Sequence, residues 1–227
     1  MRWGIKNLFT NSDPTVNPGC TEFEVDKMAI SRFILDVLVP VVGVSPFPLD
    51  EQMLMVAAMC RFKPTHLFAW GTKIGKSARI FHETNRRFGI GAEIHSIDLP
   101  DEIGHVEHPG RSRGKLVKGF PEVKLHQGDG LDVAMKIFRT AGLASRPLFF
   151  LDGDHAYESV RRELETILRE VPNPAILVHD TFFQSSGSGY NVGPFSAIQD
   201  SLPSDADHIG IIHMNLGLPG MSCIYRR

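Results

Sequence analysis

The feature that most constrains the fold is a repeated alternation, from residue 66 onward, of short apolar segments with amphipathic ones. Strands are predicted at His66–Trp70, Glu93–Asp98, Glu122–His126, Pro147–Asp152 and Ala175–Asp180. Helical spacing of apolar residues follows at Ser77–Phe88, Leu131–Thr140 and Glu158–Glu170. Such alternation is typical of parallel strands joined by crossover helices.

The fourth strand contains the unbroken apolar run 148–151, which indicates a strand covered by helices on both faces. Two further strands, His208–Met214 and Met221–Arg226, have no long crossover between them and therefore predict an antiparallel pair at one edge. We expect an α/β fold with a doubly wound, seven-stranded, mostly parallel sheet.

The first 62 residues differ from the rest of the chain. An irregular arm over 1–22 precedes two predicted helices, one beginning at Asp26 and one at Asp50–Arg61. We expect residues 1–62 to form an N-terminal arm and helical cap, and residues 63–227 the core of a single domain. The apolar stretch 28–44 is interrupted by Arg32, Asp36 and Pro40, so no membrane span is predicted.

Composition excludes some classes of protein. The formal net charge is −2, whereas nucleic-acid binders usually carry a strong basic excess, so no nucleic-acid partner is expected. The 3 cysteines are widely spaced and form no CxxC pair, which is typical of a reducing cytoplasm.

In a doubly wound sheet, ligands bind beyond the carboxyl ends of the strands. Gly71 and Gly75 follow the first strand, where they could bring the backbone close to a carboxylate or phosphate at a helix N-terminus, or serve only as turn residues. Asp98 ends the second strand, where an acid can accept both ribose hydroxyls or take an ordinary capping role.

The densest group of chemically active side chains follows the fourth and fifth strands. It comprises Asp152, Asp154, His155, His179 and Asp180. Carboxylates this close repel one another unless a cation compensates. Oxygen ligands favour Mg²⁺, Mn²⁺ or Ca²⁺, and an imidazole shifts the preference toward Mn²⁺, Fe²⁺ or Zn²⁺. The alternatives are that Asp154 caps the next helix and that His155 packs structurally.

Two loops lie on the same side of the predicted sheet. The loop 102–114 contains His105 and His108 and could close over a site or stay a solvated surface loop. The Ser/Gly-rich loop 184–193 has the composition of a mobile lid or of a passive connector.

These segments resemble class I S-adenosylmethionine-dependent methyltransferases, specifically the metal-dependent O-methyltransferase branch with its sugar, macrolide and cephalosporin-hydroxylase-like members. The matching pieces are Gly71-Thr72, Gly75 and Ser77, Ser96-Ile97-Asp98, Gly128-Asp129-Gly130, Phe150 to Val160, and Leu177 to Thr181. The resemblance implies a Rossmann-like fold and an S-adenosylmethionine cofactor.

It also implies roles for individual residues. Gly71, Thr72, Gly75 and Ser77 would hold the methionine part of the cofactor, Asp98 the ribose, and Asp129 and Gly130 would border the adenine. Asp152, also at the cofactor, would bind a Mg²⁺ or Mn²⁺ ion together with His179 and Asp180. Asp154 or His155 would accept the substrate proton.

The sequence departs from this family at two positions. Ala69 stands where an acid usually holds the cofactor's amino end, and His179 stands in place of an acid. The main hypothesis is a metal-assisted O-methyltransferase acting on a hydroxyl of a sugar or natural-product type of small molecule. A homodimer or higher homo-oligomer is one assembly that the resemblance allows. The alternatives are a catalytically silent S-adenosylmethionine-binding accessory protein and a metal-dependent hydrolase.

Overall fold

A computed structural model describes residues 25–104, 110–142, 144–185, 187, 192–202 and 208–227. The predicted arm, His105, His108 and half of the predicted lid at 184–193 lie outside these residues. Within them, no helix is both long and apolar enough to cross a membrane.

Seven strands form one sheet. They are β1 His66–Trp70, β2 Glu93–Asp98, β3 Val123–Gln127, β4 Pro147–Leu151, β5 Ala175–His179, β6 Ile209–Met214 and β7 Met221–Arg226. Their order across the sheet is β3-β2-β1-β4-β5-β7-β6, with β1 to β5 parallel and β7 antiparallel to both β5 and β6. This confirms the predicted Rossmann-like sheet with its antiparallel edge.

In the described part of the chain, seven α-helices accompany the sheet. They are α1 Lys27–Phe33, α2 Val39–Val42, α3 Leu49–Phe62, α4 Lys76–Phe88, α5 Gly130–Ala141, α6 Tyr157–Glu170 and α7 Val192–Ser201. Side chains of α1, α3 and α4 cover one face of the sheet, here called the cap face. Those of α5, α6 and α7 cover the other, here called the opposite face.

The first predicted helix is not regular. A π-helical turn at Ile34–Leu38 separates α1 from α2, whose second residue is Pro40. Proline cannot donate a backbone hydrogen bond and its ring crowds the carbonyl four residues earlier, so the wider turn accommodates it. Only one side of this segment is buried, since Met28 and Leu35 are more than half exposed.

Strand alternation explains the two apolar cores. In β1, Leu67 and Ala69 face the cap face, whereas Phe68 and Trp70 face the opposite face. Every residue of β4 and β5 is buried, as expected for parallel strands covered on both sides. The parallel strands all end at one end of the sheet, here called the carboxyl end, and begin at the amino end.

Candidate functional site

A cavity of about 560 Å³ opens at the carboxyl end of β1 to β4. Seven of the residues predicted for the site line it, namely Gly71, Asp98, Asp129, Gly130, Asp152, Asp154 and His155. Thr72, Gly75, Ser77, His179 and Asp180 do not. The cavity has the size and position of a small-molecule site in a doubly wound sheet.

Gly71 shapes one side of the cavity. Its φ is +83°, and a β-carbon there would lie 1.9 Å from the backbone oxygen of Asp152. Only glycine therefore lets the loop after β1 pass this close to the end of β4.

Among the residues after Gly71, Lys73 lines the cavity, whereas the three residues predicted for the site are held elsewhere. Thr72 is buried and its hydroxyl shares a 2.7 Å hydrogen bond with Ser96. Gly75 adopts φ +92° at the start of α4, and Ser77 is buried in the first turn. These contacts fix the loop, so the loop backbone rather than these side chains borders the cavity.

Asp98 is held rigidly in the cavity wall. One carboxylate oxygen accepts a 2.9 Å hydrogen bond from the Lys73 backbone N–H, and the other accepts one of 2.8 Å from Leu99. Arg113 lies 3.9 Å away and also pairs with Asp101 at 2.6 Å. Each carboxylate oxygen retains acceptor capacity for a ligand hydroxyl.

Asp129 and Gly130 form the wall beyond β3. Asp129 caps α5 by accepting a hydrogen bond from the Asp132 N–H, and it pairs with Arg162 at 2.6 Å. Burial acts to raise the pKa of Asp129, but these hydrogen bonds outweigh it and hold the pKa below its usual range. A β-carbon on Gly130 would lie 2.4 Å from the Trp70 indole, so glycine makes room for the ring.

The loop after β4 carries Asp154 and His155. Asp154 accepts hydrogen bonds from the Ala156 N–H at 3.0 Å and from the Ser159 hydroxyl at 2.5 Å. The N-cap residue of α6 is Ala156, so Asp154 does not cap this helix. His155 Nδ1 lies 2.8 Å from Asp180 Oδ2. Burial acts to lower the pKa of His155, but the Asp180 carboxylate outweighs it and the pKa is raised.

Asp152, His179 and Asp180 meet beyond β4 and β5, with one possible ligand atom from each within 4.8 Å of the others. In a regular strand, side chains of neighbouring residues point to opposite faces. Asp180, however, adopts φ +58°, and this left-handed turn brings its carboxylate to 3.6 Å from His179 Nδ1. The structure thus supplies the backbone turn that His179 needs to join both carboxylates.

The three side chains fit a divalent metal. His179 Nδ1 is buried and has no aligned hydrogen-bond partner among the described residues, although Asp152 Oδ1 lies 2.8 Å away. A proton on Nδ1 would satisfy this nitrogen through the ion pair with Asp152, and a divalent ion bound by the three side chains would satisfy it when the proton is absent. Two carboxylates and one imidazole form a donor set suited to Mn²⁺ or a similar ion.

Glu51 of α3 is a site residue that the sequence analysis missed. One carboxylate oxygen lies 3.1 Å from His179 Nε2, and the other accepts a 2.8 Å hydrogen bond from the Gly220 N–H. Glu51 is 1% exposed. A proton on Nε2 that donates to Glu51 leaves Nδ1 free to bind an ion, as in carboxylate–histidine–metal arrangements.

The carboxylates set the charge of His179. Burial by itself lowers a histidine pKa, but Asp152, Glu51 and Asp180 outweigh it and raise the pKa of His179 to about 10. The carboxylates at the carboxyl end of the sheet therefore stabilise a positive charge between them, which a proton or a metal ion would supply.

Glu163 of α6 is a second missed residue. It lines the cavity, is 6% exposed, and burial raises its pKa to about 8. Its position is a signal that the sequence did contain, because it falls among the buried residues of α6, Val160, Leu164 and Ile167. An acid in an apolar helical stripe is either paired or functional.

Comparison with known proteins agrees with this geometry. The family model described as "Methyltransferase domain" matches residues 68–181, half of the chain. A search of curated proteins gave no significant match.

Solved structures share the fold at low sequence identity. An O-methyltransferase from Bacillus cereus in complex with SAH is 13% identical, with a TM-score of 0.53 over 88% of this chain and 91% of that chain. The O-methyltransferase TomG from Streptomyces achromogenes, in complex with SAM, is 12% identical, with a TM-score of 0.53 over 88% of both chains. The SAH-bound methyltransferase PaMTH1 from Podospora anserina is 17% identical, with a TM-score of 0.53 over 86% and 87%.

Proposed function

The chain belongs to the methyltransferase-domain family, and from this premise we propose that it transfers a methyl group from S-adenosylmethionine to a hydroxyl of a small molecule, with a divalent metal ion bound by Asp152, His179 and Asp180. The observation that carries the proposal is the cavity at the carboxyl end. Asp98 stands in its wall beyond β2, and Asp152 and His155 line it beyond β4.

Asp98 and the loop after β1 would bind the cofactor. The two backbone hydrogen bonds on Asp98 orient its carboxylate to accept both ribose hydroxyls. Asp129, fixed by Arg162, and Gly130 would border the adenine. When bound, S-adenosylmethionine supplies an electrophilic methyl group to the cavity.

Ala69 does not line the cavity. It is fully buried in the apolar core of the cap face, where a carboxylate would meet apolar side chains. The cofactor's amino end would therefore be held by backbone groups of the loop after β1 instead of by the acid that related sequences carry.

The chemical step would take place between the cofactor-binding residues and the proposed metal ligands. A divalent ion at Asp152, His179 and Asp180 would lower the pKa of a substrate hydroxyl. His155 lines the cavity, and its Nδ1 is held by Asp180, so Nε2 is the ring nitrogen left to accept the proton. Asp154 accepts hydrogen bonds from the Ala156 N–H and the Ser159 hydroxyl and so fixes the loop that carries His155.

Methyl transfer from labelled S-adenosylmethionine tests this proposal. The full chain, freed of metal by a chelator, is incubated with a panel of sugar, macrolide and catechol hydroxyl acceptors, with and without Mn²⁺. We expect transfer that depends on Mn²⁺ and falls in His155→Gln, with Asp36→Asn as an exposed control. Cofactor binding by calorimetry without transfer to any acceptor would favour the accessory-protein hypothesis, and no cofactor binding would contradict the proposal.

A further inference from the structure

A second group of metal-binding side chains lies at the amino end of the sheet. His66 begins β1, and Glu93 and His95 lie on the neighbouring β2. One ligand atom from each lies within 4.8 Å of the others. His66 lies four residues before Trp70, and His95 lies two residues before Ile97, which are the first residues of their strands to line the cavity. About 7–13 Å of strand therefore separates this group from the carboxyl-end cavity, and none of its members lines that cavity.

Hydrogen bonds select which ring nitrogens are available. The Thr65 hydroxyl lies 3.1 Å from His66 Nδ1, and His126 Nε2 lies 3.1 Å from His95 Nδ1. Both contacts use Nδ1, which leaves Nε2 of each ring. The two rings stack, with centroids 5.9 Å apart and planes 9° from parallel.

His95 Nε2 is the observation that points to a ligand. His95 is 3% exposed, and its Nε2 has no hydrogen-bond partner among the described residues. Glu93 Oε2 is 3.7 Å away, too far for a hydrogen bond. A buried polar atom left unsatisfied costs about 1–3 kcal/mol, so a bound ion or water is expected beside it.

One cation competes with a metal ion for this group of side chains. Lys124 pairs with Glu93 and competes with an ion for that carboxylate. Both side chains are half exposed, so the Lys124 ammonium group can move away from Glu93 and be solvated.

We propose that His66, Glu93 and His95 form a second metal site, separate from the carboxyl-end site and selective for Zn²⁺ or a similar transition-metal ion. Two imidazole nitrogens and one carboxylate oxygen are ligands that Zn²⁺ prefers over Mg²⁺. Ligand atoms at about 2.1 Å from one ion lie up to about 4.2 Å apart, so only a small contraction is needed. An ion there ties β1 to β2 and stabilises the folded chain.

Titration of metal-free protein with Co²⁺ tests the site, in an Asp152→Asn background so that the carboxyl-end site does not contribute. We expect one Co²⁺ per chain with visible absorption bands, displaced by Zn²⁺ but not by Mg²⁺. Addition of Zn²⁺ should also raise the melting temperature. His66→Asn and Glu93→Gln should each weaken binding by about tenfold or more.

The matched control is His213→Asn, because His213 is an exposed histidine on β6 that contacts Ser222. Glu93 is about half exposed, so Glu93→Gln tests the site without disturbing the core. Unchanged Co²⁺ affinity in folded His66→Asn and Glu93→Gln, or no Co²⁺ binding in the Asp152→Asn background, overturns the proposal. In that case the atom facing His95 Nε2 is water.

Discussion

Two buried histidines at opposite ends of the same sheet have opposite acid–base behaviour. The pKa of His179, at the carboxyl end, is raised to about 10, whereas that of His95, nearer the amino end, is lowered to about 4. Burial acts to lower both, so the difference comes from the neighbours. His179 has three carboxylates around it, and His95 has His126 and Lys124, with only the exposed Glu93 opposing them.

From this difference we expect the two ends of the sheet to bind different ions. Carboxylates exceed the available positive charge at the carboxyl end, which favours a hard divalent ion and the chemistry that it supports. Imidazole nitrogens are the main candidate ligands at the amino end, which favours a softer ion with a structural role. The following predictions test whether the two ends are independent.

The largest effect is expected from Asp152→Asn, which removes a charge at the carboxyl end without changing the shape of the side chain. The loss of one ligand should abolish measurable Mn²⁺ binding at this site, and methyl transfer should fall by about 100-fold or more, because a bound ion contributes several kcal/mol. Mn²⁺ titration and initial rates measure both. Near-wild-type transfer by a folded variant would show that Asp152 is not a ligand.

The second prediction concerns the pH dependence of stability in the metal-free protein. His179 has a raised pKa, so its contribution to the free energy of unfolding is full below pH 6.5 and is lost between pH 6.5 and about 10. His95 has a lowered pKa, so its contribution is full above pH 6.5 and is lost as the pH falls toward about 4. Each slope is at most about 1.4 kcal/mol per pH unit.

Urea unfolding between pH 4 and 10 measures these slopes separately. Relative to wild type, His179→Asn should flatten the alkaline limb alone, and His95→Asn the acid limb alone. If both variants changed the same limb, the two ends of the sheet would not differ in the way the pKa shifts indicate.

Glu51→Gln is expected to have an intermediate effect. Glutamine preserves the size of the side chain but can donate to His179 Nε2 instead of accepting from it, which destabilises the tautomer with a free Nδ1. Mn²⁺ affinity should fall by about 10–100-fold, as it does when other groups that hydrogen-bond to a metal-binding histidine are replaced. Zn²⁺ affinity at the amino end should not change, and a parallel loss at both ends would indicate general unfolding.

The sheet could be predicted because the apolar pattern that indicates each strand lies within that strand and the segments next to it. The apolar runs of β4 and β5 identify buried parallel strands, and the absence of a crossover between β6 and β7 identifies the antiparallel edge. The strand-end acids follow from the same pattern, since parallel strands place their carboxyl ends together.

The contacts within the sites were less predictable because they are not local. Glu51 meets His179 across 128 residues of sequence, and no spacing rule joins them. The left-handed turn at Asp180 could not be predicted either, because aspartate tolerates this conformation but nothing in the sequence requires it. At the amino end, His66 and His95 become neighbours only through the register of β1 and β2.

The smallest effect is expected from a matched pair of variants in one strand. β2 carries Glu93 at its amino end and Asp98 at its carboxyl end, so Glu93→Gln and Asp98→Asn remove one charge each from opposite ends of six residues. Asp98→Asn should weaken S-adenosylmethionine binding by about tenfold, because a charge-assisted hydrogen bond contributes about 1.5–3 kcal/mol and the amide keeps one acceptor oxygen. Zn²⁺ binding should stay unchanged in that variant.

Glu93→Gln should weaken Zn²⁺ binding and leave the cofactor affinity unchanged in calorimetric titrations. The strand is rigid, since all its residues except Glu93 are buried, so neither change is expected to reach the other end. A loss of cofactor affinity in Glu93→Gln as large as that in Asp98→Asn would mean that the two ends are coupled through β2.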